Sequence, residues 1–320
     1  MRWIGASEVL QRLGPLEAIA AVERVLRDHR AGTATADPRT IHGRPDLPLA
    51  LMPGSLPGVV GLKAITVVER NPARGLPTVQ GVVLLFDGRD GRLLGAVDGP
   101  ALTAVRTGAI AGYATRVLAR ADATTMLLAG AGAQAPFQAA AVLAVRPIER
   151  LLLWNRTESG AVALGRQLAR WRPALRLEVV ADLRAAAPLA DVVTLVTGAT
   201  LPLLDRDDVR DGCHVNAMGS YQPGRREVSS ELVAAAQVFA DTVEGCLDEA
   251  GDLLQPIAEG RLDPGRVRPL AAAEPADRPR LTLMKSVGSA LFDLVCAQWL
   301  LAQPPPVAGE QGPSLWPPTP

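Results

Sequence analysis

The chain has 320 residues, 48% of them hydrophobic and 21% charged, which is enough for two ordinary domains, each with its own core. Lys plus Arg and Asp plus Glu both number 33, so there is no cationic surplus for nucleic-acid phosphates, and small or zwitterionic partners are favoured. The three cysteines, Cys213, Cys246 and Cys296, fit neither a disulfide framework nor a zinc spacing, which points to a reducing cytoplasm and to no bound metal. The opening MRWIGASEVLQRLG lacks the pattern of a signal peptide, and no apolar run approaches the roughly 20 residues that span a bilayer. A soluble protein without a membrane partner is expected. Residues 7–30 place apolar side chains at helical spacing after a Ser cap and predict one or two amphipathic helices. From about 48 to 98, short apolar runs separated by Gly, Pro and Asn-Pro breakers predict an antiparallel or mixed sheet, with a hairpin connection from Asp87-Gly88 to Gly91. Residues 103–119 read as a helix with small residues on one face. From 124 onward, apolar strands without polar alternation (TTMLLAG, RLLLWNR, LEVVAD, ADVVTLVTG, HVNAMG, QVFADT) are spaced by helices, the pattern of a parallel sheet buried on both faces. Residues 287–302 predict a terminal helix, and the Pro-rich end, 303–320, predicts a disordered tail.

Gly130-Ala-Gly132-Ala-Gln-Ala135 fits the G-x-G-x-x-G/A fingerprint of a dinucleotide site, preceded by a strand and followed by a helix. Gly130 permits the tight turn, Gly132 lets the backbone approach a pyrophosphate, and the helix N-terminus supplies amides and a positive dipole. The next strand ends in Asn155-Arg156-Thr157, where NAD-binding domains usually carry Asp or Glu for the ribose 2′-hydroxyl. Donors and a cation there favour a 2′-phosphate, hence NADPH; if Arg156 is only a solvated strand-end charge, NADH binds as well.

Three cations stand in suggestive settings: Arg39 in DPRT, Lys63 in GVVGLKAITVV and Arg106 in LTAVRTGA. A lysine in an apolar strand must snorkel or meet an anion. A guanidinium among small residues near a helix start either clamps a carboxylate bidentately or closes an intramolecular salt bridge.

The order of DPRT, LMPG, GLKAITV, LLFDGRDGRLLGAVDGPALTAVRTGAIA, GAGAQA, WNRT, HVNAMGSYQPGRREV, EAGDLL and LMKSVGSALFDLV resembles the ornithine cyclodeaminase/mu-crystallin family from about residue 36 to 300. The resemblance implies an α/β fold: a Rossmann doubly wound domain (120–285) set into a discontinuous α+β substrate and dimerisation domain (1–119 plus 286–302), and a homodimer. It also implies that Arg39, Lys63 and Arg106, with Met52 of LMPG, meet the substrate, and that Gly130, Gly132, Ala133 and Gln134 form the pyrophosphate loop. Asn155, Arg156 and Thr157, with Thr197, Met218, Gly219 and Ser286, complete the expected cofactor contacts. Cyclodeaminases resemble GGDxPGxxE where this chain has GSYQPGRRE, so Tyr221 stands in place of an aspartate that handles the substrate amine.

Cyclodeamination needs a base at several steps, whereas reducing a ready-made cyclic imine needs only the last one. The motifs are closest to the ketimine reductase branch, which implies reduction of Δ1-pyrroline-2-carboxylate or Δ1-piperideine-2-carboxylate to L-proline or L-pipecolate. Lys63 would then polarise the imine or relay its proton, and Tyr221 would hydrogen-bond near the ring nitrogen. The alternatives are an ornithine cyclodeaminase, an alanine or N-alkyl amino-acid dehydrogenase, or an NADPH-dependent ligand-binding protein. Of the remaining candidates, His214 reads as structural, Glu227 as ordering its own loop, and Asp293 as open between a family motif and a helix-surface charge.

Overall fold

The computed structural model describes residues 1–44, 46–68, 70–275, 280–305 and 312–318. The chain divides into two units, Met1–Arg106 with Ser289–Trp316, and Thr107–Gly288 with the last residues from Pro317. The first unit runs β1 (Arg2–Ile4), α1 (Ala6–Arg12), α2 (Pro15–Arg30), β2 (Thr35–Ala36), β3 (Thr40–Arg44), β4 (Leu47–Leu56), β5 (Val59–Val67), β6 (Val79–Asp87) and β7 (Leu93–Asp98). Helix α3 (Gly99–Leu118) carries the chain into the second unit. There it continues through β8 (Thr125–Ala129), α4 (Ala135–Val145), β9 (Arg150–Trp154), α5 (Glu158–Trp171), β10 (Arg176–Val179), α6 (Leu183–Ala186), β11 (Val192–Leu195) and β12 (His214–Ala217). It ends with α7 (Ser230–Ala235), β13 (Gln237–Ala240), α8 (Val243–Glu249), α9 (Gly251–Ala258), β14 (Arg268–Pro269) and β15 (Thr282–Lys285), before α10 (Ala290–Ala302) returns to the first unit.

In the first unit the strands order as β1-β7-β6-β5-β4-β2, with β3 pairing β4. The pairs are antiparallel except β1 with β7, so the sheet is mixed, as the breaker pattern predicts. Helix α10 packs on α2 and on β4 and β5, and its approach depends on missing side chains. A Cβ on Gly61 would lie 2.3 Å from Leu294 Cδ2, and one on Gly95 would lie 2.5 Å from Leu301 Cδ2. Only glycine lets the helix come this close, and that closeness brings Asp293 of α10 to the sheet. On the opposite face, Leu51, Leu62, Leu84 and Phe86 are half-buried and Val60 is 51% exposed.

The second unit holds a sheet ordered β10-β9-β8-β11-β12-β15-β13-β14, parallel throughout the described pairs. Its first five strands follow the Rossmann order, with the reversal between β8 and β11. Leu127, Leu128, Val192, Val193, Val215 and Leu283 are fully buried, which explains why these strands show no polar alternation. The sequence pattern misses one central strand. β15, which contains Lys285, lies between β12 and β13, and four residues with a charge at the end give no strand signal.

The Pro-rich end also departs from expectation. Trp316 is 1% exposed, and its indole N–H donates to the Leu13 carbonyl at 2.7 Å, while Leu315 N–H donates to the Leu10 carbonyl at 3.0 Å. A tail with almost no apolar residues still fixes itself through one large side chain. Residues 306–311 and the last two, also part of the expected disordered tail, lie outside the described residues.

Candidate functional site

The second unit builds the dinucleotide cradle. Gly130 ends β8 with φ of 109°, a conformation L side chains rarely adopt, and a Cβ there would lie 2.5 Å from the Val196 carbonyl oxygen. Gly132, by contrast, has no atom within 4 Å of its would-be Cβ, so the loop is open at the point where a phosphate must approach. The start of α4 follows at Ala135, with Gln134 at the cap position and its Oε1 buried without a hydrogen-bond partner among the described residues. An open glycine and a helix N-terminus at the switch point, both offering backbone amides, fit a dinucleotide pyrophosphate. A groove of about 540 Å³ runs on between this loop and α5, lined among others by Gly132, Gly160, Gln167 and Arg170.

At the strand end, Asn155 has an intramolecular task. Asn155 accepts from Ala131 N–H at 3.2 Å and donates to the Thr157 carbonyl at 2.9 Å, so it braces the glycine loop against the start of α5. Arg156 is exposed.

A buried ionic network fixes the carboxyl ends of β11 and β12. Glu227, fully buried, accepts from Thr197 N–H at 2.7 Å and Thr197 Oγ1 at 2.8 Å through one oxygen, and from Gly219 N–H at 2.8 Å through the other. Asp252 accepts from the backbone N–H groups of Glu227 and Val228 at 2.6 and 3.2 Å, and pairs with Lys285 Nζ at 2.7 Å. Burial pushes the Glu227 carboxyl up, against the pull of Lys285. For Lys285 burial works downward, but the Asp252 and Glu227 charges outweigh it and hold the ammonium above its ordinary range.

Gly219 is required at this junction, because a Cβ would sit 2.1 and 2.2 Å from the Thr197 carbonyl oxygen and nitrogen. Glu227 therefore ties together two loops besides its own. Thr197 and Gly219 are brought together by it, and the adjacent Met218 is 8% exposed. Ser286 instead donates to Asp241 Oδ2 at 2.6 Å. Tyr221, in the loop after β12, is 39% exposed. His214 is fully buried between Thr282 and Asn216, and burial pushes its pKa down to about 3, so it is a neutral packing residue.

The first unit holds the cationic cluster. Met52 of β4 and Lys63 of β5 are cross-strand partners, both buried. Lys63 Nζ donates to Thr103 Oγ1 at 2.7 Å and to Asp293 Oδ1 at 2.8 Å, while Arg106 Nε lies 3.4 Å from the same oxygen. Lys63 and Asp293 are fully buried and Arg106 is 7% exposed. Burial pulls the Lys63 pKa down to about 8; Asp293 pushes it back up, while Arg106 and, more weakly, Arg39 lower it. Arg39 is half-buried in the segment before β3.

Lys63 thus meets an anion and Arg106 closes an intramolecular salt bridge, and the shared partner is Asp293. Asp293 is no surface charge. Two sequence signals mark it. Its helix, ALFDLVCAQWLLA, is apolar on every side, which leaves no solvent face for a carboxylate. The chain also contains only two lysines against 31 arginines, and both, Lys63 and Lys285, are fully buried against an aspartate.

Among the described residues no His/Cys/Asp/Glu group could hold a metal, and no helix is long and apolar enough to cross a membrane. Residues 4–302 match the ornithine cyclodeaminase/mu-crystallin family. The chain is 34% identical over 316 residues to a Δ1-pyrroline-2-carboxylate reductase of Bacillus cereus, covering 93% of this chain and 94% of that protein. It is 33% identical over 236 residues to the ketimine reductase mu-crystallin of Mus musculus, covering 74% and 73%. Among solved structures, Thermococcus litoralis Δ1-pyrroline-2-carboxylate reductase in complex with NADH and L-proline superposes with a TM-score of 0.88 at 31% identity, covering 94% of this chain and 96% of that one.

Proposed function

The chain belongs to the ornithine cyclodeaminase/mu-crystallin family, and from that premise we propose that it is an NAD(P)H-dependent reductase of cyclic 2-carboxy ketimines, Δ1-pyrroline-2-carboxylate or Δ1-piperideine-2-carboxylate. The observation that carries this reading is the charge balance of the cluster. Lys63 and Arg106 share one carboxylate oxygen, which leaves positive charge for a substrate anion. Arg106 meets Asp293 through Nε, and its two terminal nitrogens have no carboxylate partner among the described residues, which suits a bidentate substrate carboxylate. Arg39 adds a second cation.

The residues Gly130, Gly132, Ala133 and Gln134 would hold the pyrophosphate, with Thr197, Met218 and Gly219 at the strand ends beyond. A reduced nicotinamide held there would supply the hydride that reduces the C=N carbon. Lys63 supplies the proton for the ring nitrogen, and a pKa drawn down to about 8 eases that transfer near neutral pH. Met52 gives an apolar wall beside it. Tyr221 offers a hydroxyl where the cyclodeaminase pattern has an aspartate, which supports reduction of an existing imine over deamination of ornithine. Exposed Arg156 favours NADPH, with NADH also accepted.

The half-buried apolar sheet face of Leu51, Leu62, Leu84 and Phe86 supports a homodimer. Three buried, unpaired cysteines support a reducing compartment such as the cytoplasm. Chiral chromatography of the product tests the reading: L-proline or L-pipecolate formed from the imine supports it, and ammonia released from ornithine without imine reduction would replace it with a cyclodeaminase.

A further inference from the structure

We propose that Asp293 is the positioning residue of the substrate site: through one carboxylate oxygen it keeps Lys63 in place as an ammonium and turns the terminal nitrogens of Arg106 toward the substrate carboxylate. The proposal rests on the reading of the cluster as an imine site. Its arrangement is unusual for a carboxylate that only stabilises a fold. Asp293 Oδ1 takes Lys63 Nζ at 2.8 Å and Arg106 Nε at 3.4 Å, and Oδ2 is buried with no hydrogen-bond partner among the described residues.

Asp293 does not cap its helix, since that role falls to Ser289, whose hydroxyl accepts from Leu291 N–H. Both attachments of Asp293 are therefore to the two cations. A carboxylate retained for stability gains by filling both oxygens, and a buried ion pair is weak evidence for stability in any case. Asp252 shows the contrast within the same chain: both of its oxygens are used, one on two backbone amides and one on Lys285.

The lysine count adds an independent argument. Where 31 positions carry arginine and two carry lysine, a lysine at Lys63 marks a site for a compact group that can lose a proton, which a guanidinium does not. The charged groups facing Lys63 are Asp293 from α10, Arg106 from α3 and Arg39 from the segment before β3. Asp293 is the one anion among them. Without it, two guanidinium charges and full burial all disfavour the ammonium, and Arg106 loses the contact that fixes its rotation.

The same scarcity gives a direct readout. Full-length enzyme labelled with 13C at lysine Cε carries two lysine resonances, from Lys63 and Lys285, assigned by Lys63→Met. Titrating wild type and Asp293→Asn should show the Lys63 midpoint falling in the variant while the Lys285 signal stays in place. In steady-state reduction of pyrroline-2-carboxylate, Asp293→Asn should raise KM by on the order of 10- to 100-fold through misplaced Arg106. The alkaline limb of kcat/KM should move to lower pH with the NMR midpoint, and NADPH affinity should be unchanged.

A Lys63 midpoint and an imine KM both equal to wild type in Asp293→Asn would overturn the proposal. So would a wild-type Lys63 already neutral at pH 7, a measurement that needs no folded variant. If wild type reduces no cyclic imine, the functional reading fails, while the titration still decides whether Asp293 governs Lys63.

Discussion

Replacing Trp316 with alanine should destabilise the first unit by about 5 kcal/mol. The side chain is 1% exposed and its indole N–H is bonded to the Leu13 carbonyl at 2.7 Å. A buried tryptophan removes about 200 Å² from water, which at about 25 cal/mol per Å² corresponds to about 5 kcal/mol. A compact unfolded chain lowers this by roughly a quarter, and the lost hydrogen bond restores about 1 kcal/mol. The sum agrees with the roughly 3–5 kcal/mol measured for Trp-to-Ala changes in cores. At about 2–4 °C per kcal/mol for a protein of this size, the first thermal transition should fall by on the order of 10 °C.

The assay is thermal and urea unfolding followed by circular dichroism, with Trp316→Phe as a companion that keeps most of the apolar contact and should lose only about 1–2 kcal/mol. A Trp316→Ala midpoint within about 0.5 kcal/mol of wild type, the range of an ordinary surface substitution, would refute the anchored tail and restore the expectation of disorder.

Three further outcomes follow from the sites. kcat/KM should fall as pH rises through about 8, because the Lys63 pKa is drawn down to about 8 and the ammonium is present below that value and lost above it; Lys63→Met should remove this limb and lower the rate by on the order of 10²- to 10⁴-fold. Gly219→Ala forces a Cβ to within 2.1 and 2.2 Å of the Thr197 backbone, so NADPH affinity, read by fluorescence quenching, should fall by about tenfold or more. Arg156→Ser should raise KM for NADPH relative to NADH by about tenfold, the value of one charged hydrogen bond to phosphate; an unchanged ratio would reduce Arg156 to a solvated strand end.

The Rossmann unit was legible because its strands are fully buried and lack alternation, and because Gly130 and Gly132 stand between a strand and a helix. Its sixth strand in sheet order, β15, was not, since four residues ending in Lys285 carry too little periodicity and its place in the sheet is set by pairing with β12 and β13. Lys63 and Arg106 were recognised as misplaced charges, but their shared partner lies 230 and 187 residues away in sequence. No local rule links Asp293 to β5; only a helix without a polar face announced that its one carboxylate must be inside. Asn155 and Thr197, expected as cofactor contacts, also brace their loops through their polar atoms, a second task that spacing alone does not show. Trp316 is hidden by the composition of its surroundings, where seven prolines and few apolar residues conceal one anchor.

The central claim is the reduction of a cyclic 2-carboxy imine, and absorbance at 340 nm tests it most directly. Purified enzyme with NADPH, and separately with NADH, is mixed with Δ1-pyrroline-2-carboxylate or Δ1-piperideine-2-carboxylate, with ornithine as the control. Rapid loss of absorbance with a cyclic imine and none with ornithine is the result this account predicts. Tight cofactor binding without consumption by either imine would contradict it and leave the cationic cluster as a binding site for an anion that is not reduced.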